Sequence, residues 1–212
     1  EAGYTFANGL RSIMRQDPDA ILVGEVRDKD TAEIAIQAAL TGHLVFSTVH
    51  ANQAAGAIPR FLDLGVKSQS IGPALNLIIA QRLVRRLCEH CRTPEAITSD
   101  LKEKINKFLA GLPSRVKREA FQELKIFKPT GCERCGNFGY KGRVAIFELL
   151  LVGTETQEMI TKEVGEVAIQ AFALSRGMVT MQADGVLKAI QGITTFEEVE
   201  EVTGPINWLR KH

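Results

Sequence analysis

The segment from Asp19 to Asn52 constrains the fold more strongly than any other part of this sequence. It holds two short apolar runs, Ala20–Val23 and Leu44–Val49, separated by a helical pattern. Runs that are nearly all apolar and bounded by turn residues are typical of strands buried on both faces of a parallel sheet. A strand, a helix and a second strand within one short segment predict a βαβ unit with a right-handed crossover.

The helix between these strands has a start signal and a stop signal. Asp30 is predicted to cap its first turn, and Glu33, three residues later, completes a capping box. Thr41-Gly42 then ends the helix before the second apolar run begins.

Apolar patterns predict further elements outside this unit. Gln81–Leu87 and Lys141–Leu151 have the character of strands. Pro59 is expected to kink or restart the helix in which it lies, and Pro73 to open another. The predicted helices cover residues 3–16, Gln53–Leu64, Pro73–Ala80, Asp100–Ala110, Ser114–Leu124, Glu155–Gly177, Met178–Gly192 and Thr195–Thr203.

A carboxylate and an imidazole follow the carboxyl ends of the two predicted parallel strands. Glu25 comes directly after the first strand, and His50 comes after the second. Ligands of open α/β sheets bind beyond these strand ends, so we expect the two side chains to lie at the same edge. Each residue alone is weak support for a site, because strands often end in an exposed acid and single histidines are more often structural.

Four cysteines form two pairs with CxxC spacing, Cys88 with Cys91 and Cys132 with Cys135. The sequence has no secretory signal, so this spacing favours a metal site over disulfides. Four thiolates suit a tetrahedral structural zinc ion with no open coordination position, and the glycines that flank the second pair allow tight turns. The alternative is four unrelated reduced cysteines.

Composition excludes several classes of protein. The chain has 212 residues, of which 45% are apolar, enough for one large or two small domains. The formal net charge of +1 indicates no global electrostatic partner. No apolar run approaches the roughly 18 residues that a membrane span needs, so we expect a soluble protein.

Three segments carry a resemblance to the secretion and pilus-assembly ATPases of the GspE/PilB family. ILVGEVRD resembles the family's Walker B segment, and TGHLVFSTVHAN resembles its His box. GYTFANGLRSIMRQDPD is similar to the family's segment ahead of Walker B, and the resemblance continues to about residue 204. The chain is identified as the C-terminal part of such an ATPase. The implied fold class is α/β, a partial RecA-like P-loop ATPase core with a tetracysteine zinc module and a helical C-terminal subdomain.

The resemblance also implies domain boundaries. A RecA-like core with Walker B and the His box would cover residues 1–87, and the zinc module residues 88–140. Residues 141–151 would form a strand that returns to the core, and residues 152–212 the helical subdomain.

The same resemblance implies roles for individual residues. Glu25 would polarise the attacking water or reach Mg²⁺ through water, and His50 would sense the γ-phosphate. His43 lies seven residues of extended chain away, about 23 Å from His50, so both cannot contact one phosphate. His43 is therefore expected to have a structural or inter-subunit role. The residues implied to contact nucleotide or a neighbouring subunit are Arg11, Arg15, Arg27 and His43.

The phosphate-binding loop of such ATPases is missing from this sequence. No G-x-x-x-x-G-K-[ST] string occurs, and the nearest one, Gly65-Val66-Lys67-Ser68, lacks the Gly-Lys step. The family's Walker A precedes Walker B, so we expect it before Glu1 and expect this chain to be a fragment of a longer protein. The fragment alone is predicted to be inactive, whereas the intact parent would use ATP and magnesium.

The predicted function is to power type II protein secretion or type IV pilus extension. The intact parent would be a homo-hexamer at the cytoplasmic side of the inner membrane, acting on an inner-membrane platform protein. Arg82, Arg85 and Arg86 are candidates for an acidic membrane surface or a phosphate, although a subunit-contact strand is the favoured interpretation. Tetracysteine modules occur in the family's assembly and secretion members, which favours these over pilus retraction.

The alternative function is a non-enzymatic zinc module that binds nucleic acid or protein. Residues 92–141 carry 11 Lys and Arg against 6 Asp and Glu, a modest excess. Their few aromatic residues fall mostly on apolar faces, which disfavours nucleic acid. The sequence does not separate secretion, pilus extension and DNA uptake.

Overall fold

The computed structural model describes residues 5–210 and shows an α/β chain. Two short 3-10 helices, Arg118–Phe121 and Glu133–Cys135, accompany the α-helices and strands. The strands are β1 Ala20–Val23, β2 Leu44–Ser47, β3 Leu77–Leu87, β4 Thr93–Pro94, β5 Phe127–Lys128 and β6 Tyr140–Leu151. The α-helices are α1 Phe6–Met14, α2 Lys29–Leu40, α3 Ala57–Asp63, α4 Ser68–Ala74, α5 Ser99–Gly111, α6 Thr154–Thr161, α7 Glu166–Ser175, α8 Met181–Ile190 and α9 Phe196–Thr203.

The described residues divide into two compact units. The first contains the chain up to Ile78 together with Leu150–Ala173, and the second contains Ile79–Leu149 and the chain from Leu174 onward. No helix in the described part of the chain is long and apolar enough to cross a membrane.

The predicted βαβ unit lies in the first unit. Strands β1 and β2 are parallel, with Ala20 opposite Leu44 and Val23 opposite Ser47. Burial on both faces, however, was a wrong prediction. Ile21 and Val23 are buried, but Leu22 is 80% exposed. Phe46, which pairs with Leu22 on the same face of this two-stranded sheet, is 55% exposed, so nothing in residues 5–210 fully covers that face.

The start of α2 differs from the predicted one by two residues. Asp28, not Asp30, caps the helix, and its Oδ1 accepts a hydrogen bond of 2.8 Å from the backbone N–H of Thr31. Asp30 already lies within the first turn, where its side chain cannot reach back to cap it. The hydrogen bonds from Thr31 lower the pKa of Asp28. The end was predicted correctly, with Thr41 as the last capping residue followed by Gly42 at φ +99°.

Prolines shift two other helix boundaries. Pro59 lies in the first turn of α3, where a missing N–H costs nothing, so the helix begins at Ala57 rather than Gln53. Pro73 lies near the end of α4 instead of opening a helix. The chain then turns into β3, which was predicted to begin later and contains the predicted strand segment Gln81–Leu87.

Two helix predictions were wrong in length. Within the predicted helix Ser114–Leu124 the structure has only the 3-10 turn at residues 118–121. Its apolar side chains still contact the buried core around α5, so the pattern reported burial rather than a helix. The predicted helix Glu155–Gly177 is divided into α6 and α7 by a turn in which Glu163 has φ +54°.

Helices α4 and α6 contact each other closely in the first unit. A Cβ at Gly72 would lie 3.1 Å from the backbone oxygen of Gln157, so a larger residue would separate the two helices. Ile71, which precedes Gly72, and Ile160, three residues after Gln157, are both fully buried. The contact connects residues before β3 with residues after β6, and so closes the first unit.

The core of the second unit is built by α5, α8 and α9. Ile105 and Leu109 of α5 belong to one buried cluster with Leu187 and Ile190 of α8. The ring of Trp208 stacks on Phe108 with the centroids 5.2 Å apart and meets Phe196 edge-on. Trp208 is therefore a packing residue.

A buried carboxylate holds β3 against α9. Glu198 is only 5% exposed, and its carboxylate accepts the backbone N–H of Arg85 at 3.0 Å and the guanidinium Nε at 2.9 Å. The same guanidinium lies 4.5 Å from the centroid of the Tyr140 ring, and Tyr140 Oη hydrogen-bonds Thr195. Burial raises the pKa of Glu198, but its hydrogen bonds with Arg85 outweigh that effect, so the pKa is lower than usual. Arg85 thus has a partner within the chain.

We predict that Glu198→Gln lowers the free energy of unfolding of the second unit by about 1–3 kcal/mol at pH 7, because a buried charge-assisted contact is lost. Since the folded-state pKa of Glu198 is depressed, its stabilisation is present above the unfolded value near 4.5 and is lost as pH falls through the lower folded value. The difference between wild type and variant should therefore shrink in acid. Urea denaturation at several pH values measures it.

Glu197→Gln is the matched control, because Glu197 is exposed in the same first turn of α9. It should cost little at any pH. Equal losses for the two variants, or a loss in Glu198→Gln that does not change with pH, would contradict the role of Glu198.

Candidate functional site

Glu25 and His50 lie together, as the sequence predicted. The Nε2 atom of His50 is 3.3 Å from Oε2 of Glu25. The histidine side chain is 85% exposed and the glutamate side chain 25% exposed, so the pair is open to a ligand from solvent. Both residues follow the carboxyl ends of parallel strands, where α/β sheets commonly bind ligands.

Two hydrogen bonds hold the chain on either side of this pair. The N–H of Val26 donates to the carbonyl of Thr48 at 2.9 Å. The Thr48 hydroxyl donates to the carbonyl of Gly24 at 2.8 Å. The pairing of β1 and β2 therefore continues beyond the strand ends, and it fixes the distance between the backbone of Glu25 and the loop that leads to His50.

Arg27 also contacts the glutamate. Its Nε forms an ion pair with Oε1 of Glu25, the oxygen that does not face His50. The arginine side chain is 78% exposed. The carboxylate thus has a cationic neighbour on one oxygen and an imidazole on the other. Such a group can orient water and, with the exposed arginine, can offset negative charge on a bound phosphate.

The remaining predicted contact residues occupy other places. His43 precedes β2, and its Nδ1 lies 3.1 Å from the carbonyl oxygen of Ala38 at the end of α2. A structural or an inter-subunit role for His43 stays a prediction. Arg11 and Arg15 are exposed residues of α1 and its C-terminal cap, and Arg11 donates to Asn8. Their contacts with nucleotide or with a neighbouring subunit stay predictions.

The four cysteines form one cluster in the second unit. Their sulfur atoms all lie within 4.8 Å of one another. The Cys88–Cys132 separation is 4.0 Å, and the Cys91–Cys135 separation is 3.8 Å. Four sulfurs placed about 2.3 Å from a central zinc ion would be about 3.8 Å apart. The donor set and its spacing therefore fit a tetrahedral zinc ion.

Glycines shape the second cysteine pair, as predicted. Gly131 has φ +100°, and a Cβ there would lie 2.6 Å from the backbone oxygen of Asn137. Gly136 follows Cys135 with φ +60°, a left-handed conformation. Gly131 has no room for a side chain. The positive φ at both Gly131 and Gly136 favours glycine, because L-residues rarely adopt these angles.

Backbone N–H groups stabilise a thiolate in this cluster. Burial raises the pKa of Cys135, but the N–H groups of Cys132 and Gly139, 3.2 and 3.3 Å from its sulfur, outweigh burial and lower the pKa to about 6. Burial raises the pKa of Cys91 to about 12. Ionising Cys91 next to the Cys135 thiolate without compensation would therefore be costly. A divalent cation removes that cost, which again fits a metal.

Contacts that the sequence did not reveal join the cysteine segment to the turn between α8 and α9. The N–H of Leu87 donates to the carbonyl of Ile193 at 2.9 Å. Arg92 donates to the carbonyl of Gly192 at 2.6 Å, and its guanidinium lies 4.5 Å from the centroid of the Phe127 ring. A basic residue directly after a CxxC pair gives no local signal of a partner that lies 100 residues away.

Comparison with known proteins gives a consistent family. The family model described as "Type II/IV secretion system protein" matches residues 1–201. The type IV pilus assembly ATPase PilB of Thermus thermophilus is 46% identical over 199 residues, which cover 94% of this chain and 21% of that protein. The type II secretion system protein E of Aeromonas hydrophila is 42% identical, covering 94% of this chain and 37% of that protein. The chain thus spans less than two fifths of these relatives.

Solved structures show a similar fold. The Legionella pneumophila ATPase DotB superposes with a TM-score of 0.60 at 22% identity over 93% of this chain and 42% of its own. The pilus retraction motor PilT, solved with bound ADP, gives a TM-score of 0.61 at 26% identity over 98% of this chain and 46% of its own. The α/β fold is therefore one that known ATPases share.

The family model matches nearly the whole chain, and relatives more than 40% identical match over nine tenths of it. The resemblance found in the sequence is therefore confirmed. The chain belongs to the family of Type II/IV secretion system proteins, and its relatives there include PilB and the type II secretion system protein E.

Proposed function

We propose that this chain forms the hydrolysis side of an ATPase that powers type II protein secretion or type IV pilus extension. The observation that carries the proposal is the contact between Glu25 and His50, 3.3 Å apart at the carboxyl ends of β1 and β2. The relatives that match at 42–46% identity are named as pilus assembly or secretion proteins, which supports the same activity. A non-enzymatic zinc module would not need this pair.

In the proposed mechanism Glu25 orients the water that attacks the γ-phosphate of ATP. Phosphoryl transfer depends mainly on positioning the reactants and on stabilising negative charge. A carboxylate fixed at the end of a parallel strand can position the attacking water. The exposed imidazole of His50 donates a hydrogen bond to phosphate oxygen, and Arg27 adds positive charge near the same carboxylate. Magnesium bound with the nucleotide would supply further neutralisation of the phosphate charge, and Glu25 is the residue of this chain that would reach it through water.

The proposal includes a longer parent protein. A phosphate-binding loop supplied from outside these 212 residues would hold the nucleotide, and the parent would act as a homo-hexamer on an inner-membrane platform protein from the cytoplasmic side. The RecA-like core, its boundaries at residues 87, 140 and 151, and the contact roles of Arg11, Arg15 and His43 belong to the same proposal. The resemblance to assembly and secretion ATPases supports it.

Zinc is proposed as a structural ion held by Cys88, Cys91, Cys132 and Cys135. Four thiolates would fill a tetrahedral coordination sphere, so the ion would have no position for a substrate. Its proposed role is to hold β3, the cysteine hairpin and the start of β6 in place. Three of the six sulfur–sulfur separations are 3.8–4.0 Å and all six are within 4.8 Å, which supports this assignment.

We predict that Glu25→Gln in the intact parent leaves ATP binding unchanged within about twofold and slows turnover by about 100-fold or more, since the carboxylate positions the attacking water. Steady-state phosphate release and nucleotide titration measure the two quantities. Glu33→Gln is the matched control, because Glu33 is an exposed residue of α2 paired only loosely with Lys29 at 3.7 Å. Wild-type turnover in Glu25→Gln would remove Glu25 from the mechanism.

We predict one zinc ion per chain, measured by elemental analysis of protein purified without chelator. Cys132→Ser should lose the ion and speed amide exchange in residues 88–140, because the hairpin loses its cross-link, while Ala20–Val49 stays protected. Metal-free wild-type protein that contains a disulfide by mass spectrometry would exclude the zinc assignment.

We predict that the 212-residue chain alone does not bind a non-hydrolysable ATP analogue with magnesium at micromolar concentration. The backbone N–H groups and the lysine of a phosphate-binding loop normally hold the phosphates, and no such string occurs in this sequence. Calorimetric titration and a phosphate-release assay measure this. Micromolar binding with turnover would mean that the chain itself holds the phosphates, and that the assignment of the site is wrong.

A further inference from the structure

The position of His50 depends on the backbone of its loop. Its side chain is 85% exposed, so burial does not hold the imidazole next to Glu25. On the side of β2, the loop is held by the two hydrogen bonds between Gly24, Val26 and Thr48. On the side of α3, which begins at Ala57, the loop needs a second contact from a residue between His50 and the helix.

A contact with a residue 113 positions away holds that second side. The Gln53 side-chain amide donates from Nε2 to Oε1 of Glu166 at 2.6 Å. Both residues are half-buried and both lie in the first unit. Because the acceptor is a carboxylate, this hydrogen bond is of the stronger, charge-assisted kind.

The loop is also shaped to admit this carboxylate. A Cβ at Gly56 would lie 3.0 Å from Oε1 of Glu166, so the glycine leaves room for the carboxylate to approach. The N–H of Gly56 donates back to the carbonyl of Gln53 at 3.1 Å, which folds the loop around the contact. Ala54 and Ala55, between these residues, are buried. The hydrogen bond with Glu166 therefore holds a turn that is closed by its own backbone hydrogen bond and packed by buried alanines.

Glu166 is itself well placed to act as an anchor. It is the first residue of α7, and Ile169 of the same helix is 1% exposed, so the start of the helix is fixed in the core. The N–H of Ala168 donates to the carbonyl of Gly165 at 3.0 Å, which stabilises the turn that leads into the helix. The position of α7 therefore sets the position of the Glu166 carboxylate, which binds the loop that carries His50.

We propose that Glu166 is a positioning residue for the hydrolysis site, which holds the Gln53 turn and so keeps His50 next to Glu25. The proposal rests on the function proposed above for that pair. It adds a residue from α7 that contacts neither the nucleotide nor the reacting water. It also makes the geometry of the site dependent on the placement of a helix more than 100 residues further along the chain.

The first test uses the 212-residue chain and does not depend on ATP hydrolysis. Glu166→Ala should speed amide exchange at residues 56–58 by about tenfold, because these N–H groups are protected by the turn that the carboxylate holds. Glu166→Gln, which keeps an acceptor oxygen, should restore most of the protection. Glu158→Ala is the matched control, since Glu158 is an exposed acid of α6 that pairs with Lys162.

Protection of residues 20–23 reports whether each variant is folded. Gln53→Ala removes the other partner and should reproduce the effect of Glu166→Ala, and the double variant should be no worse than either single one. Equal exchange in Glu166→Ala and Glu158→Ala, in folded protein, would overturn the anchoring role.

The second test measures kinetics in the intact parent. Glu166→Ala should lower kcat by about three- to tenfold with KM for ATP within about twofold, because the nucleotide is held elsewhere and only the placement of His50 changes. A raised KM with unchanged kcat would overturn the positioning role. Absence of ATP hydrolysis in the wild-type parent would instead overturn the proposed function, while the exchange experiment would still decide whether Glu166 holds the loop.

Discussion

The parallel pairing of β1 with β2 is the constraint on which the candidate site depends. Because the two strands run in the same direction with Val23 opposite Ser47, the residues that follow them emerge side by side. Thr48 then extends the pairing beyond the strands through its carbonyl and its hydroxyl. A carboxylate and an imidazole from segments 25 residues apart meet for this reason, and not because either side chain is buried.

Much of this arrangement follows from the sequence, because it depends on local patterns. The two strands, the end of α2 and the meeting of Glu25 with His50 were predicted from short segments and one rule about parallel sheets. The cysteine cluster was predicted from CxxC spacing alone. Where local signals compete, prediction failed. Asp28 and Asp30 are both acceptable caps by composition, and backbone angles decided between them.

Hydrogen-bond and ion-pair partners more than 100 residues apart in the chain could not be predicted. Arg85 lies in a run of basic residues that resembles a contact surface, yet its guanidinium contacts Glu198, 113 residues later. Glu198 lies in an acidic helix whose charges all look solvated in the sequence, although it is 5% exposed. Nothing in the residues around Gln53 points to Glu166 either. Long-range ion pairs and hydrogen bonds of this kind depend on the assembled fold rather than on any local pattern.

The division of the first unit into two chain segments has a consequence for synthesis on the ribosome. The unit is interrupted after Ile78 and resumes at Leu150, and α4 can meet α6 only when the second segment has been made. Roughly 70 residues separate the two segments, which at about 5–20 residues per second means a wait of several seconds. During that time α4, whose Ile71 is fully buried in the completed fold, lacks the helix against which it packs. The nascent chain thus passes through a stage in which a chaperone has an apolar segment to bind.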